Sequence, residues 1–408
     1  MQPAGASKQT YAETPRRWIV VMGTIVAIGP MSIDMYLPAL PAIQAHFGTD
    51  TAHAQFTLAT FFIGLAVGQL IYGPLSDRIG RRGPLLFGLL LYAVASAACA
   101  FAPSIGALSA LRLLQALGGC AGMVMARAMV RDRFEPQDMA RILSALVLVM
   151  GVAPILAPMA GGQVFVHVGW QAIFGVLSAF GVLCALLAWR YLPETLQQAT
   201  PVNPWSALQG YVRLLGHRRF MGYALSGAMA QAGMFSYISV SAFVFIDHYG
   251  LGPNQFAWMF GCNAAGLIAA SQLNAGLLRR MPAQQVLRAA LATNAAAGGV
   301  MLVAAITGVG GMWGVILPLF VTIASLGFTF PNSTAAAMAP FGDRAGMASA
   351  LMGTLQFGIA AITGALAGHL QKLGTAVPMA AVILVGGLVA NVLLRVLVNR
   401  PDSDAPSA

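Results

Sequence analysis

Twelve times between residues 18 and 398 the chain passes through about twenty residues that carry at most one charged side chain. A helix needs a run of about that length to cross a bilayer. Inside the bilayer the backbone has no water to bond, so each run has to satisfy its own peptide groups as a helix. The runs fall near 18–42, 54–75, 83–102, 105–128, 142–164, 170–192, 220–246, 255–278, 285–307, 312–334, 345–369 and 376–398. Charged residues make up only 8% of the chain, where soluble domains carry about 25%. Hydrophobic residues reach 58% before the 46 glycines are added. The pattern predicts an all-α membrane protein with twelve transmembrane helices, and 408 residues leave no space for a large soluble domain. The first run is not read as a cleaved leader, because it is too long, contains Asp34 and leads into eleven more.

The net charge of +10 looks at first like a nucleic-acid signal. Placing the charges removes it. When loops are assigned alternately to two sides, twenty Lys and Arg fall on one side, Lys372 alone falls on the other, and Arg112 lies within a run. By the positive-inside rule both termini are then expected in the cytoplasm. No nucleic acid is implied, and the partner expected from this pattern is the bilayer. Lys8 and Lys372 are the only lysines, and neither follows a Gly-rich loop, so nucleotide-driven pumping is excluded. Cys99, Cys120, Cys184 and Cys262 stand in apolar runs without a Cys-x-x-Cys pair and are expected as buried packing residues. The six His form no His-Glu-x-x-His pattern, so neither a metal nor any other cofactor is expected.

The longest polar interruption, residues 193–219, divides the runs six and six. It gives a cytoplasmic tail at 1–17, a first bundle at 18–192, a central cytoplasmic loop at 193–219, a second bundle at 220–398 and a second tail at 399–408. An echo links the halves: Gly73 to Arg82 follows the second run, and the shorter Gly276-Leu-Leu-Arg-Arg280 follows the eighth. Two parallel six-helix repeats, pseudo-symmetric around a central cavity, are a known plan for secondary transporters.

These residues carry a family resemblance. Gly68-Gln-Leu-Ile-Tyr-Gly-Pro-Leu-Ser-Asp-Arg-Ile-Gly-Arg-Arg82 resembles the loop signature of the major facilitator superfamily, at the expected place after the second span. Ser32 to Pro41, Arg112 to Gly119 and Pro154 to Gly162 resemble the twelve-span drug/proton antiporters, and more narrowly the bicyclomycin and chloramphenicol resistance (Bcr/CflA) branch. Tyr237 to Phe243 and Tyr249-Gly-Leu251 fit the same branch. Two departures stand out. The fifth-span signature has Ala157 before Pro158 where the family has Gly, and the second-half loop copy lacks the acidic residue that Asp77 supplies in the first.

Asp34 is the one carboxylate well inside a run, and Arg112 the one deep base. Counted inward from Ala42 and Ile105, they lie at comparable depth, roughly 10–12 Å. An intramembrane carboxylate is costly and usually serves an ion pathway. Asp34 and Arg112 are therefore the proton-coupling candidates, with Gln115 one turn from the guanidinium. A structural Asp at the Pro38 kink and an Arg that only braces carbonyls are the plainer readings. Gly73, Asp77, Arg78, Gly80, Arg81 and Arg82 form the candidate gate, which the resemblance places against the start of span eleven. The same arginines also anchor the loop on its side. Gly151, Pro154, Pro158, Gly161 and Gly162 give the fifth run the small, helix-bending composition that the family associates with antiport, although generic helix packing produces similar compositions. Candidates for a substrate pocket are Met31, Tyr36, Gln115, Met123, Gln231, Phe235, Tyr237, Asn263, Asn332, Gln356 and Phe357, since aromatic and Met side chains repack around varied apolar molecules.

The resemblance implies a proton-driven exporter of small amphipathic drugs in the bacterial inner membrane. It would act as a monomer by alternating access. An exporter of an endogenous metabolite and a proton-coupled uptake symporter are the alternatives. No catalytic constellation suggests an enzyme.

Overall fold

The computed structural model describes residues 16–134, 136–196, 204–341, 345–371 and 374–398. Lys8, Arg344, Lys372, Arg400 and most of both tails lie outside the described residues. Among the described residues are twelve helices long and apolar enough to cross a membrane. Spans one to six are Arg17–His46, Thr51–Ile79, Arg82–Ala100, Ile105–Arg133, Val149–Val168 and Trp170–Tyr191. Spans seven to twelve are Arg218–His248, Pro253–Leu277, Ala283–Thr307, Gly311–Met338, Gly346–Leu370 and Val377–Val398. Two compact units result: one holds Met1–Pro204 with Gly252–Gly261, the other Trp205–Leu251 with Cys262–Ala408.

Span one departs from the expected single helix, and its prolines explain where. It is helical over Arg16–Val26, Ile28–Asp34 and Leu40–His46, with a 3-10 turn at Leu37–Ala39. A proline has no N–H for the carbonyl four residues earlier. Pro30, Pro38 and Pro41 thus leave the carbonyls of Val26, Asp34 and Leu37 without their helical donors, and the first two of these are where the helical segments stop. The span also runs on to His46 rather than ending near residue 42, so the expected depth match between Asp34 and Arg112 has to be read from contacts instead. Span two likewise continues to Ile79, which puts Gly73 to Ile79 of the loop signature on helix and leaves only Gly80 and Arg81 as the break.

Within lipid, helices associate through close packing of small residues rather than through a hydrophobic drive. In the first unit a Cβ on Gly64 of span two would strike the Leu113 carbonyl and Ala116 of span four, and one on Gly118 of span four would strike the Tyr92 backbone of span three. In the second unit a Cβ on Gly327 of span ten would strike the Leu267 carbonyl of span eight. Spans two and four of the first half thus pair as spans eight and ten do in the second. Three and six pair as nine and twelve: Gly181 lies against Tyr92, and Gly298 against Leu384. This shared pairing is the structural form of the repeat suggested by the loop echo.

Two expectations are corrected. Cys262 is exposed, while Cys99, Cys120 and Cys184 are buried; an apolar run in a membrane can turn a residue toward lipid as well as toward protein. The central loop contains a helix, Pro204–Gly216.

Candidate functional site

Arg112 is fully buried in the first unit. Its Nη1 donates to the Ser32 carbonyl at 3.0 Å and to Gln115 Oε1 at 2.6 Å. The guanidinium carbon lies 4.2 Å from the Phe61 ring centroid, 4.7 Å from Tyr36 and 5.9 Å from Phe174. Desolvating a cation is costly, and ring faces recover part of that cost. Gln115 Nε2 donates to Ser96 Oγ at 2.7 Å, Ser96 Oγ donates to the Tyr92 carbonyl at 2.7 Å, and the Tyr92 hydroxyl bonds Ser32 Oγ at 2.7 Å. A closed ring of polar groups therefore joins spans one, three and four, and Arg112 grips the backbone two residues before Asp34. Nε and Nη2 of Arg112 have no partner among the described residues.

Asp34 ends the second helical segment of span one and is 4% exposed. Among the described residues it forms no ion pair with Arg112 or with any other base. The next residue, Met35, meets span five: a Cβ on Gly161 would fall on the Met35 carbonyl. Any larger residue at 161 would push apart the two helices beside the carboxylate. Gly151, Pro154, Pro158 and Gly162 lie on the same continuous helix, Pro136–Val168.

At the other end of spans two and four a second charged cluster forms. Arg81 has a 3% exposed side chain and pairs through Nη1 with Asp77 Oδ1 at 2.6 Å and through Nε with Asp132 Oδ2 at 2.8 Å. It also donates to Ser76 Oγ at 2.7 Å. Burial works to lower the Arg81 pKa, but Asp132 and Asp77 outweigh it and hold the guanidinium above its ordinary value. Arg78 is exposed, and Arg82 donates to the Trp189 carbonyl at 2.7 Å.

Glu194, just past span six, was not singled out from sequence. Its carboxylate accepts the backbone N–H groups of Arg81 at 2.8 Å, Arg82 at 3.0 Å, and Thr195 and Leu196 at 2.9 Å each. The first two are the donors left free at the start of span three. Burial acts to raise the Glu194 pKa, but the four backbone donors prevail and hold it below the ordinary carboxylate value. Gly80 makes room for it: φ is +96°, and a Cβ there would lie 2.6 Å from Glu194 Oε2. Gly80→Ala should therefore cost about 1–3 kcal/mol, the range for a glycine-only backbone. Glu194→Gln should cost about 1 kcal/mol, since the carboxylate is partly solvated. A lowered folded pKa contributes stability above the ordinary carboxylate range that is lost as pH falls through the folded value. Hydrogen exchange at the Arg81 and Arg82 amides should accordingly quicken in both variants, and in the wild type on acidification, relative to intrinsic rates. Unchanged protection would mean that Glu194 holds nothing in place.

The pocket candidates separate into groups. Tyr36 and Gln115 belong to the Arg112 cluster, with the Tyr36 hydroxyl bonding Thr57 Oγ1 at 2.9 Å. Met123 approaches Gly29, and Met31 is half-buried. In the second unit the Phe235 and Phe357 rings are 6.0 Å apart, and Asn263 donates to the Tyr237 hydroxyl at 3.1 Å. Gln231 is buried with an unpartnered Oε1, and Gln356 is half-buried. Asn332 is already engaged, donating to Asn274 Oδ1 and the Phe328 carbonyl at 2.8 Å each. No group of His, Cys, Asp or Glu among the described residues could hold a metal ion.

The Major Facilitator Superfamily model matches residues 22–365. The chain belongs to the major facilitator superfamily. It is 35% identical over 375 residues to "Uncharacterized MFS-type transporter YdgK" of Bacillus subtilis, covering 91% of this chain and 92% of that one. It is 30% identical over 364 residues to the "Bicyclomycin resistance protein homolog" of Haemophilus influenzae, covering 89% and 91%. To the "Chloramphenicol resistance protein" of Pseudomonas aeruginosa it is 29% identical, covering 79% and 75%. These relatives support the Bcr/CflA branch within the superfamily. The fold also matches that of a D-xylose-proton symporter, with a TM-score of 0.73, 12% identity and coverage of 93% and 97%. This transporter of the superfamily is thus a multi-pass membrane protein whose curated relatives include antibiotic and multidrug resistance proteins.

Proposed function

We propose that the chain is a proton-coupled exporter of small amphipathic compounds, antibiotics among them. It works by alternating access in the bacterial inner membrane, with both termini in the cytoplasm. One observation carries this reading: Asp34 is a carboxylate deep in the first unit that forms no ion pair among the described residues, at a helix break held on one side by the Arg112 ring and on the other by Gly161 of span five. The other carboxylates within described helices, Asp77, Asp132, Asp138 and Asp247, all fall near helix ends.

Without a paired base, Asp34 is free to exchange a proton, and the Pro-broken backbone gives the span a place to flex when it does. Protonation from outside removes the buried charge and favours drug release. Loss of the proton inside restores the anion and favours drug binding. Arg112 holds the Ser32 carbonyl and so fixes where the carboxylate points, a positioning role. The Asp77–Arg81–Asp132 cluster, with Gly73, Arg78, Gly80 and Arg82 around it, would serve as the gate on the cytoplasmic side. The energy source is the proton gradient, no cofactor is needed, and one chain suffices.

Inverted membrane vesicles given a panel of amphipathic antibiotics and dyes in the external medium test this. Imposing an acid-inside gradient should drive accumulation of several of them, and collapsing it with a protonophore should stop accumulation. Accumulation indifferent to the protonophore, or transport in the opposite direction, would contradict the proposal.

A further inference from the structure

The helix Pro204–Gly216 joins the two halves of the sequence without crossing the membrane, and its two sides differ. Leu214 is buried, and a Cβ on Gly210 would strike the Met347 side chain in the first turn of span eleven. The opposite side carries Leu208, Val212 and Leu215, which are 49%, 60% and 46% exposed. At 100° per residue these three lie within about 60° of one another and roughly half a turn from Gly210 and Leu214. Residues 204–219 contain Arg213, Arg218 and Arg219 and no acidic residue; Arg213 and Arg219 are exposed.

Three contacts fix the level of this helix. His217 alone separates it from span seven, whose first turn His217 caps by accepting the Phe220 N–H at 3.2 Å. The His217 ring packs edge-on to Phe341, just past span ten, with centroids 5.0 Å apart. Arg218 Nη2 donates to the Val396 carbonyl in the last turn of span twelve at 2.7 Å. With Met347, these contacts tie the helix to the ends of spans seven, ten, eleven and twelve, all on the arginine-rich side. A helix tied across several span ends at one face lies near the plane of that face. A bare Leu–Val–Leu stripe is unfavourable in water but suited to the zone between headgroups and acyl chains, and flanking arginines are suited to anionic headgroups.

We propose that Pro204–Gly216 is an interfacial anchor. Its Leu208–Val212–Leu215 stripe enters the acyl boundary of the leaflet on the arginine-rich side, and Arg213 and Arg219 bind anionic lipid headgroups. The occupant of the stripe is therefore lipid. This goes beyond the transport reading and does not depend on what is carried.

The test places a nitroxide at Val212 or, separately, at Gln209. It uses the full-length protein with Cys99, Cys120, Cys184 and Cys262 replaced by Ala, reconstituted in phosphatidylcholine with and without phosphatidylglycerol. The Val212 probe should be relaxed preferentially by oxygen, which partitions into lipid, and the Gln209 probe by an aqueous nickel chelate. Phosphatidylglycerol should deepen the Val212 probe in the parent protein but not in the Arg213→Gln/Arg219→Gln variant. Equal chelate access at both positions would mean that the stripe faces water. Protection from both relaxants would mean that protein covers it. A lipid dependence unchanged by the double Gln variant would remove the headgroup contact; each of these three outcomes overturns the proposal. If the cysteine-free chain does not fold, quenching of an added Val212→Trp by acyl-brominated lipid, compared with the parent protein, reads the same depth, and absence of added quenching is the contrary result.

Discussion

Asp34→Asn should insert and fold as the parent protein does and lose proton-driven export. Asn has nearly the same size but cannot give up a proton, so the variant keeps the packing beside Met35 and Gly161 and loses only the exchange. Drug affinity of the parent protein should rise with pH, because losing the Asp34 proton favours the drug-bound form. Coupled sites typically shift one another's affinity by roughly 5–150-fold. In Asp34→Asn the same titration should be flat. Exchange of drug down its own gradient should persist. Export at parental rates under an imposed pH gradient would remove Asp34 from the coupling.

The second large effect concerns Arg112, where transport and stability should move apart. Removing an unpaired buried charge relieves a desolvation cost of several kcal/mol, which offsets the roughly 1–3 kcal/mol for each acceptor left bare. Arg112→Met should therefore melt at the same temperature as the parent protein or higher, while transport falls to background because Ser32 and Gln115 lose their common donor. Arg112→Lys keeps the charge without the planar fork and should also transport poorly, since one ammonium cannot reproduce the stacked, forked geometry. Normal transport by the Met variant would reduce Arg112 to a brace. Melting curves and transport measured on the same preparations decide between the two.

The spans and the two deep charges were legible because each follows from a scarcity: few charges, and so a conspicuous Asp34 and Arg112. Their partners were harder to see. Tyr92, Ser96 and Phe61 look like ordinary members of apolar runs, and only the fold brings the two hydroxyls to Ser32 and Gln115 and the Phe61 ring to the guanidinium; the i, i+4 spacing of Tyr92 and Ser96 was the one faint sign. Glu194 was passed over because its partners are backbone N–H groups, which leave no trace in a sequence. The anchor helix was missed for another reason. Leu208, Val212 and Leu215 already show helical spacing, but the polar stretch around them reads as a loop when only membrane-crossing runs are sought. In span one the kink at Pro38 was expected, whereas the break near Pro30 follows from the same missing N–H.

The central claim is that drug and proton compete through Asp34, and proton release on drug binding tests it most directly. Purified protein in weakly buffered detergent solution, equilibrated at a pH where Asp34 is still partly protonated, is mixed with a compound it binds, and the pH is followed. The account predicts that the parent protein releases protons in proportion to drug bound, and that Asp34→Asn binds the drug and releases none. Proton release of undiminished size from Asp34→Asn, or none from the parent protein at any pH where it binds drug, would contradict it.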